Sequence, residues 1–228
     1  MKILCTICAR GGSKGVKNKN IKKFLGKPLI CHTISQAKKV KKFSKIVCSS
    51  DSKKILDIAK KNKVDYLILR PKFLSNDRVS KVKAIRHCLI KSENFFKTKF
   101  DFVVDLDVTA PLRANKDINQ IINMIIKKKD ADNIISLSPS KKNPYFNMVE
   151  IKNSKPKLVK KISEKFYSRQ KAPKVFEINA GVYAWSKKGL LRNSNLINKK
   201  THYFFVPSSR SIDIDNRIDF KIVKSLFK

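Results

Sequence analysis

Carboxylates are scarce in this sequence: 17 Asp and Glu stand against 53 Lys and Arg, a formal net charge of +36 over 228 residues. A long apolar run is also missing. Nothing approaches the roughly 18–20 residues needed to span a bilayer, and Met1-Lys2 lead straight into the strand-like stretch Ile3-Leu4-Cys5-Thr6-Ile7-Cys8. The expectation is a soluble, cytoplasmic protein with no membrane partner. The cysteines do not pair up: Cys5, Cys8, Cys31, Cys48 and Cys88 are odd in number and widely spaced, so they read as reduced thiols. Cys5-x-x-Cys8 has metal-like spacing, but positions i and i+3 of a strand point to opposite faces, and no second pair completes a tetrahedral zinc site. Neither phosphate fingerprint, G-x-x-x-x-G-K-[ST] or G-x-G-x-x-G, occurs. There is no internal repeat and no low-complexity tract.

With 42% hydrophobic residues, the chain can bury one full core with room for a small subdomain. That excludes a disordered chain and two large independent domains. So high a positive charge suggests nucleic acid, because cations meet phosphate and release counterions. The pattern favours another reading. Lysines fall in pairs and triples along the whole chain, as in Lys41-Lys42, Lys127-Lys128-Lys129 and Lys199-Lys200, mostly where helical segments meet solvent. A solvated basic surface that favours small anionic substrates accounts for this, and no aromatic-basic stacking motif supports nucleic-acid binding.

Apolar runs of strand length alternate with amphipathic stretches of helical length. This predicts an α/β fold with a mostly parallel sheet and helices on both faces. Strands are expected near 2–8, 45–49, 64–69, 101–106, 132–138, 181–186 and 202–206. Helices are expected near 28–42, 52–62, 79–94, 116–129 and 216–227. Ser50 or Asp51 stands where the second helix needs an N-cap, and Asp117 lies in the first turn of the fourth, where a carboxylate complements the dipole. The segment 139–180 carries Pro139, Pro144, Pro156 and Pro173 and breaks the rhythm, so it reads as an inserted subdomain within a single domain 1–228.

Three stretches could carry chemistry. The first strand ends in Ala9-Arg10-Gly11-Gly12-Ser13-Lys14-Gly15, followed by Lys17-Asn18-Lys19-Asn20. Glycines bring backbone close to a ligand, consecutive N–H groups form an anion nest, and interleaved cations neutralise a polyphosphate. The fourth strand ends Asp105-Leu106-Asp107-Val108-Thr109-Ala110-Pro111-Leu112-Arg113, at the carboxyl end where an open α/β sheet forms its crevice. The D-x-D-x-[TV] pattern there also matches haloacid-dehalogenase-type phosphatases, but those carry it on the first strand ahead of a flexible Gly-containing turn. Near the C-terminus, Ser211-Ile212-Asp213-Ile214-Asp215-Asn216 alternates, so Asp213 and Asp215 share a side if the segment is extended. Two readings stand side by side: a Mg²⁺ site of hard oxygen ligands, or Asp215 as N-cap of the final helix with Asp213 merely exposed.

Taken together and in order, Ala9-Arg10, Ser13-Lys14-Gly15, Lys19-Asn20, Leu69-Arg70-Pro71, Thr109-Ala110-Pro111-Leu112-Arg113 and Ser211-Ile212-Asp213-Ile214-Asp215 resemble the acylneuraminate (nonulosonic acid) cytidylyltransferase family over essentially the whole chain. The resemblance implies a Rossmann-like nucleotide-diphospho-sugar transferase fold with a small inserted dimerisation subdomain. The implied reaction joins CTP to a nine-carbon 2-keto sugar acid, giving CMP-sugar and pyrophosphate for surface glycan synthesis, with Mg²⁺ as cofactor and a homodimer as the assembly. It implies Arg10, Lys19 and Asp215 as catalytic groups, and Arg10, Gly11, Gly12, Ser13, Lys14, Asn20, Arg70 and Thr109 around the nucleotide. Asp213 and Asp215 match the family's metal carboxylates, with Asp107 as a further candidate ligand. Arg113, Arg169, Gln170, Asn179 and Tyr183 match its sugar pocket, Tyr183 having core packing around Trp185 as its alternative.

Two departures bear on the sugar. Sialic acid members often carry Gln-Pro ahead of the Thr, whereas Asp107-Val108 resembles the legionaminic acid branch. Tyr145-Phe146 stands where sialic acid enzymes place a lysine, and more apolar contact suits a deoxy, di-N-acylated sugar. A 3-deoxy-octulosonate enzyme is the rival within this chemistry, and a basic nucleic-acid-binding protein the rival outside it. His32, His87 and His202 lie outside the motifs, so none is assigned as base.

Overall fold

The computed structural model describes residues 1–12, 15–76, 78–161 and 170–227. A seven-stranded sheet forms the centre, built from β1 (Ile3–Cys8), β4 (Lys45–Ser50), β5 (Tyr66–Leu69), β6 (Phe102–Leu106), β7 (Asn133–Pro139), β10 (Phe176–Ser186) and β11 (Thr201–Phe205) in the order β11-β7-β10-β6-β1-β4-β5. All neighbouring strands are parallel except β10, which runs antiparallel to both β6 and β7. Each expected strand is present. The helices are α1 (Leu29–Lys38), α2 (Lys53–Lys61), α3 (Lys81–Phe96), α4 (Asn115–Lys127), α5 (Lys187–Arg192) and α6 (Arg217–Leu226).

Side-chain alternation in the strands divides the core in two. Ile3, Cys5 and Ile7 of β1, Val104 and Leu106 of β6, and Val182 and Ala184 of β10 face α1, α2, α4 and α6. Leu4, Val103, Tyr183 and Trp185 face the opposite way, onto Val82, Ile85 and Leu89 of α3 and Leu190 of α5. The chain runs outward from β1 to β4 and β5, then returns to lay β6 on the other side of β1. A switch of this kind leaves a crevice at the carboxyl ends of the strands, flanked by the loops after β1 and β6.

The structure differs from the periodicity in several places, and α5 is a short helix that the periodicity did not mark. The first helix starts near the expected residue but ends at Lys38, because Val40 and Phe43 turn back through short-range hydrogen bonds and bury Val40. The second helix takes Ser52 as its N-cap, one residue beyond the expected pair, and Asn216 caps α6 with its side-chain oxygen, which leaves Asp215 free of that duty. The long first connection contains a 3₁₀ turn (Lys19–Ile21) and a small hairpin of β2 (Lys23–Phe24) and β3 (Lys27–Pro28), turning through Leu25 and Gly26 at positive φ. In the segment 139–180, β8 (Val149–Lys152) and β9 (Lys155–Leu158) form a hairpin whose Asn153-Ser154 turn also has positive φ at both positions, the geometry of a two-residue primed turn. β10 begins at Phe176 rather than 181 and pairs with β7 as far as Pro139, with a bulge between Ile178 and Tyr183. No helix of the described residues is long and apolar enough to cross a membrane.

Candidate active site

A cleft of about 620 Å³ opens at the switch point, lined by residues from every motif read above. The loop after β1 contributes Arg10, Gly15, Lys19 and Asn20; the segment after β5 contributes Arg70; the loop after β6 contributes Asp107 and Thr109; the C-terminal segment contributes Asp213 and Asp215. Residues separated by some two hundred positions in sequence thus meet at one surface.

The loop is held shut by specific contacts. Asn20 is buried and donates from Nδ2 to the Arg10 carbonyl at 2.9 Å. Lys19 reaches the Ile214 carbonyl and Asp215 Oδ1, the latter at 3.1 Å. At Gly15, an added Cβ would lie 1.9 Å from the Asp215 carbonyl oxygen, so only glycine allows this approach. Gly11 and Gly12 do not line the cleft, and the Gly11 N–H is spent on Asp51 Oδ1 at 2.8 Å rather than facing a phosphate. Ser13, Lys14 and Arg169 lie outside the described residues. Arg70 is buried, donates to Ser75 Oγ at 3.0 Å and sits 4.0 Å from Asp51.

Carboxylates line the cleft beside this loop. Asp213 Oδ2 accepts the Ala180 N–H at 3.0 Å, while Asp213 Oδ1 is buried without a hydrogen-bond partner. Burial, reinforced by the charges of Asp107 and Asp215 against the pull of the Ala180 N–H, pushes the Asp213 carboxyl up to about 6. The Asp215 side chain is 80% exposed. An orphaned buried carboxylate oxygen beside a solvent-facing carboxylate fits a hard divalent cation, which takes one or two protein carboxylates and completes its shell with phosphate and water. Among the described residues no cluster of three or more Asp, Glu, His or Cys forms a closed cage. The donor set therefore matches an ion shared with substrate rather than one enclosed by protein.

Asp107 belongs to a separate network that the sequence did not reveal. Its Oδ1 accepts from the Thr109 N–H at 3.0 Å and the Thr109 hydroxyl at 3.1 Å, and its Oδ2 meets Lys81 at the start of α3. Lys81 Nζ also lies 2.9 Å from Asp105 Oδ2 and 5.1 Å from the centre of the Tyr183 ring. Burial raises the cost of the Asp107 charge, but Lys81 and Thr109 outweigh it and hold this carboxyl at about 2. Burial likewise works against the Lys81 ammonium; Asp105 and then Asp107 overcome it and raise the lysine well above its ordinary value. One lysine among many has no local signature, so only the fold singles out Lys81.

The residues matched to the sugar pocket scatter. Arg113 is 3% exposed and directs its guanidinium at the Asp107 and Gly181 carbonyls, at 2.6 and 2.9 Å, and at the Thr33 hydroxyl at 2.8 Å. It braces the loop after β6 from behind instead of facing the cleft. Asn179 is buried against Ser136 Oγ at 2.6 Å, with Nδ2 unpartnered, and the adjacent Ala180 lines the cleft. Tyr183 packs with Trp185 in the α3-side core, its hydroxyl pushed up to about 12 by burial. Gln170 is exposed, and neither it nor Tyr145 or Phe146 lines the cleft; Tyr145 sits beneath Lys160.

Comparison with known proteins identifies the family. The cytidylyltransferase family model matches residues 4–209. The CMP-N,N'-diacetyllegionaminic acid synthase of Campylobacter jejuni serotype O:2 is 44% identical over 224 residues, 98% of this chain and 94% of that protein. The post-translational flagellin modification protein B of Campylobacter coli is 42% identical over 226 residues, 99% of this chain and 95% of that protein. The structure of a CMP:2-keto-3-deoxy-manno-octonic acid synthetase complexed with CTP superposes with a TM-score of 0.73 at 15% identity, covering 99% and 98% of the two chains. That last likeness is one of fold, and it establishes the nucleotidyltransferase architecture. Matched from the first strand to the turn that precedes the paired aspartates, the chain belongs to the cytidylyltransferase family and is a nucleotidyltransferase.

Proposed function

We propose that this enzyme joins CTP to a nine-carbon 2-keto sugar acid of the diacetyllegionaminic type, releasing pyrophosphate and supplying an activated donor for surface glycans in the cytoplasm. The observation that carries the sugar class is near full-length identity of 44% to a protein named CMP-N,N'-diacetyllegionaminic acid synthase. Asp107-Val108 in the loop after β6 agrees with it. In the reaction the anomeric hydroxyl oxygen bonds to the α-phosphorus, the bond to the oxygen bridging to the β-phosphate breaks, and the hydroxyl proton is released. Arg10 and Lys19 line the cleft where the triphosphate enters, placed to stabilise charge on departing pyrophosphate. Arg70 and Thr109 hold the nucleotide side, while Asn20 fixes the loop that carries Arg10.

Asp213 and Asp215 would hold Mg²⁺, which when bound supplies charge neutralisation and Lewis-acid polarisation of the phosphates. Lys19 bridges to Asp215, so the cationic loop and the carboxylates position one another. Homodimerisation is part of the proposal. The β8–β9 hairpin exposes Val149 and Ile151, and the edge strand β11 exposes Tyr203 and Phe205 beside Phe176. Apolar surface of this kind suits a second copy.

The deciding assay is pyrophosphate release from CTP and Mg²⁺ with N,N'-diacetyllegionaminate, N-acetylneuraminate, pseudaminate and 3-deoxy-octulosonate offered separately. Preference for the first is expected, and Asp213→Asn should reduce that turnover by about a hundredfold or more with folding intact. Equal or better use of 3-deoxy-octulosonate defeats the sugar assignment.

A further inference from the structure

Asp105 occupies an unusual position. It lies on the central strand β6 between Val104 and Leu106, fully buried, on the sheet face covered by α3. A buried carboxylate without a partner is costly. One oxygen accepts from the Thr6 hydroxyl at 2.7 Å, and the other meets Lys81 Nζ at 2.9 Å. Asp107, two residues on, sends Oδ2 to the same ammonium and fills Oδ1 with Thr109. Three of these four carboxylate oxygens accept a hydrogen bond, and Asp105 Oδ2, which accepts none, has the Lys81 ammonium at 2.9 Å as its ion-pair partner. Asp213 Oδ1 is also buried without a hydrogen bond, and among the described residues no ion pair is formed with it.

We propose that Lys81 is the fixed cation of this cleft, a positioning residue whose ammonium occupies Asp105 and Asp107 and so confines divalent metal to Asp213 and Asp215. Three features support this. Lys81 is the first residue of α3, capped by Ser80 Oγ, so its backbone is anchored at the rim while its side chain points across the strand ends. The Tyr183 ring lies against the ammonium on the core side, where an aromatic face favours an organic cation. The side chain is 29% exposed and lines the cleft, so its charge also repels a second metal ion approaching from solvent. Asp105 and Asp107 already converge on one point, the lysine nitrogen. Replace that nitrogen with an apolar group and the same two carboxylates present a vacant site of the right donor chemistry for a hard divalent ion. The inference rests on the metal reading above only in naming where the remaining ion goes.

The test is Mn²⁺ binding to the protein without nucleotide, followed by the electron paramagnetic resonance signal of free Mn²⁺. Lys81→Met is expected to take up one more Mn²⁺ per chain than the wild type, Lys81→Arg the same number, and Lys81→Met with Asp107→Asn to lose the extra ion. Asp107→Asn alone, which keeps the lysine beside Asp105 and removes one negative charge near Asp213, should weaken wild-type Mn²⁺ affinity by less than tenfold. A tenfold loss in that variant, or no gain in a folded Lys81→Met, overturns the proposal. Asp213→Asn reads the metal assignment separately: retention of the wild-type ion there sinks that assignment while the Lys81 comparison still stands.

Discussion

Asp107 shows how a single side chain changes meaning between sequence and structure. By position it is a candidate metal ligand; by contact it is a carboxylate already satisfied by Lys81 and Thr109. Its ordinary value of 3.8 falls to about 2 in the fold. A carboxyl with a lowered folded value contributes stability above its unfolded value and loses it as pH falls through the folded one. Asp107 should therefore stabilise the protein by about 2 kcal/mol at neutral pH, a contribution that fades between about pH 4 and pH 2. Urea unfolding of wild type and Asp107→Asn across that window should show the gap between them closing as acid is added. A gap that stays constant with pH would refute the ion pair. The neighbouring Lys81 was invisible in the sequence because 53 Lys and Arg residues mask any one of them; its role comes from the start of α3 lying above β6.

Among the elements, the short 3₁₀ turn Ser208–Arg210 aims the C-terminal segment at the cleft. Arg210 donates to both oxygens of Asp117 on α4, at 2.9 and 2.8 Å, and Asp117 also caps its own helix by accepting the Ala114 N–H. The sequence marked Asp117 for its place in the first turn, but a helix dipole does not explain its full burial; Arg210 does. Arg210→Ala leaves that buried charge unpaired and should cost roughly 3 kcal/mol in denaturant unfolding. The segment carrying Asp213 and Asp215 loses its tether at the same time, so the Mg²⁺ concentration for half-maximal turnover should rise severalfold. Lost stability with unchanged Mg²⁺ dependence would reduce Arg210 to a structural tie. Similar logic explains the short elements that periodicity overlooked: the β2–β3 and β8–β9 hairpins are too brief for a repeating pattern and depend on positive-φ turns.

For the whole molecule, two surface properties compete for explanation. The +36 charge suggests nucleic acid, yet the cleft brings cations and the Asp213–Asp215 pair together, an arrangement that suits the proposed metal-bound polyphosphate better than a polyanion track. The exposed apolar side chains make a second, more local statement. Ile151 is 69% exposed on a hairpin with no buried residue of its own. Ile151→Asp combined with Phe205→Asp should convert the proposed dimer to monomer in sedimentation velocity, with each monomer still folded by circular dichroism. Unaltered sedimentation would remove both residues from the interface.

The sequence by itself determined the alternation of strands and helices, the parallel α/β class and the order of the motifs, because period-2 and period-3.6 patterns and local turn chemistry are written within a few residues. Asn20, Lys19, Asp213 and Asp215 were legible for the same reason, as members of compact local motifs. Tertiary structure alone decided what those residues touch. It turned Arg113 into a brace behind the loop, packed Tyr183 into the core, spent the Gly11 N–H on Asp51 and gave Asp105 and Asp107 a common lysine. Thr6 and Asp105 are neighbours because β1 and β6 are paired in register, though 99 positions separate them. Such partnerships follow from strand order and from which helix covers which face, and a carboxylate takes its chemistry from the charges that the fold brings within reach.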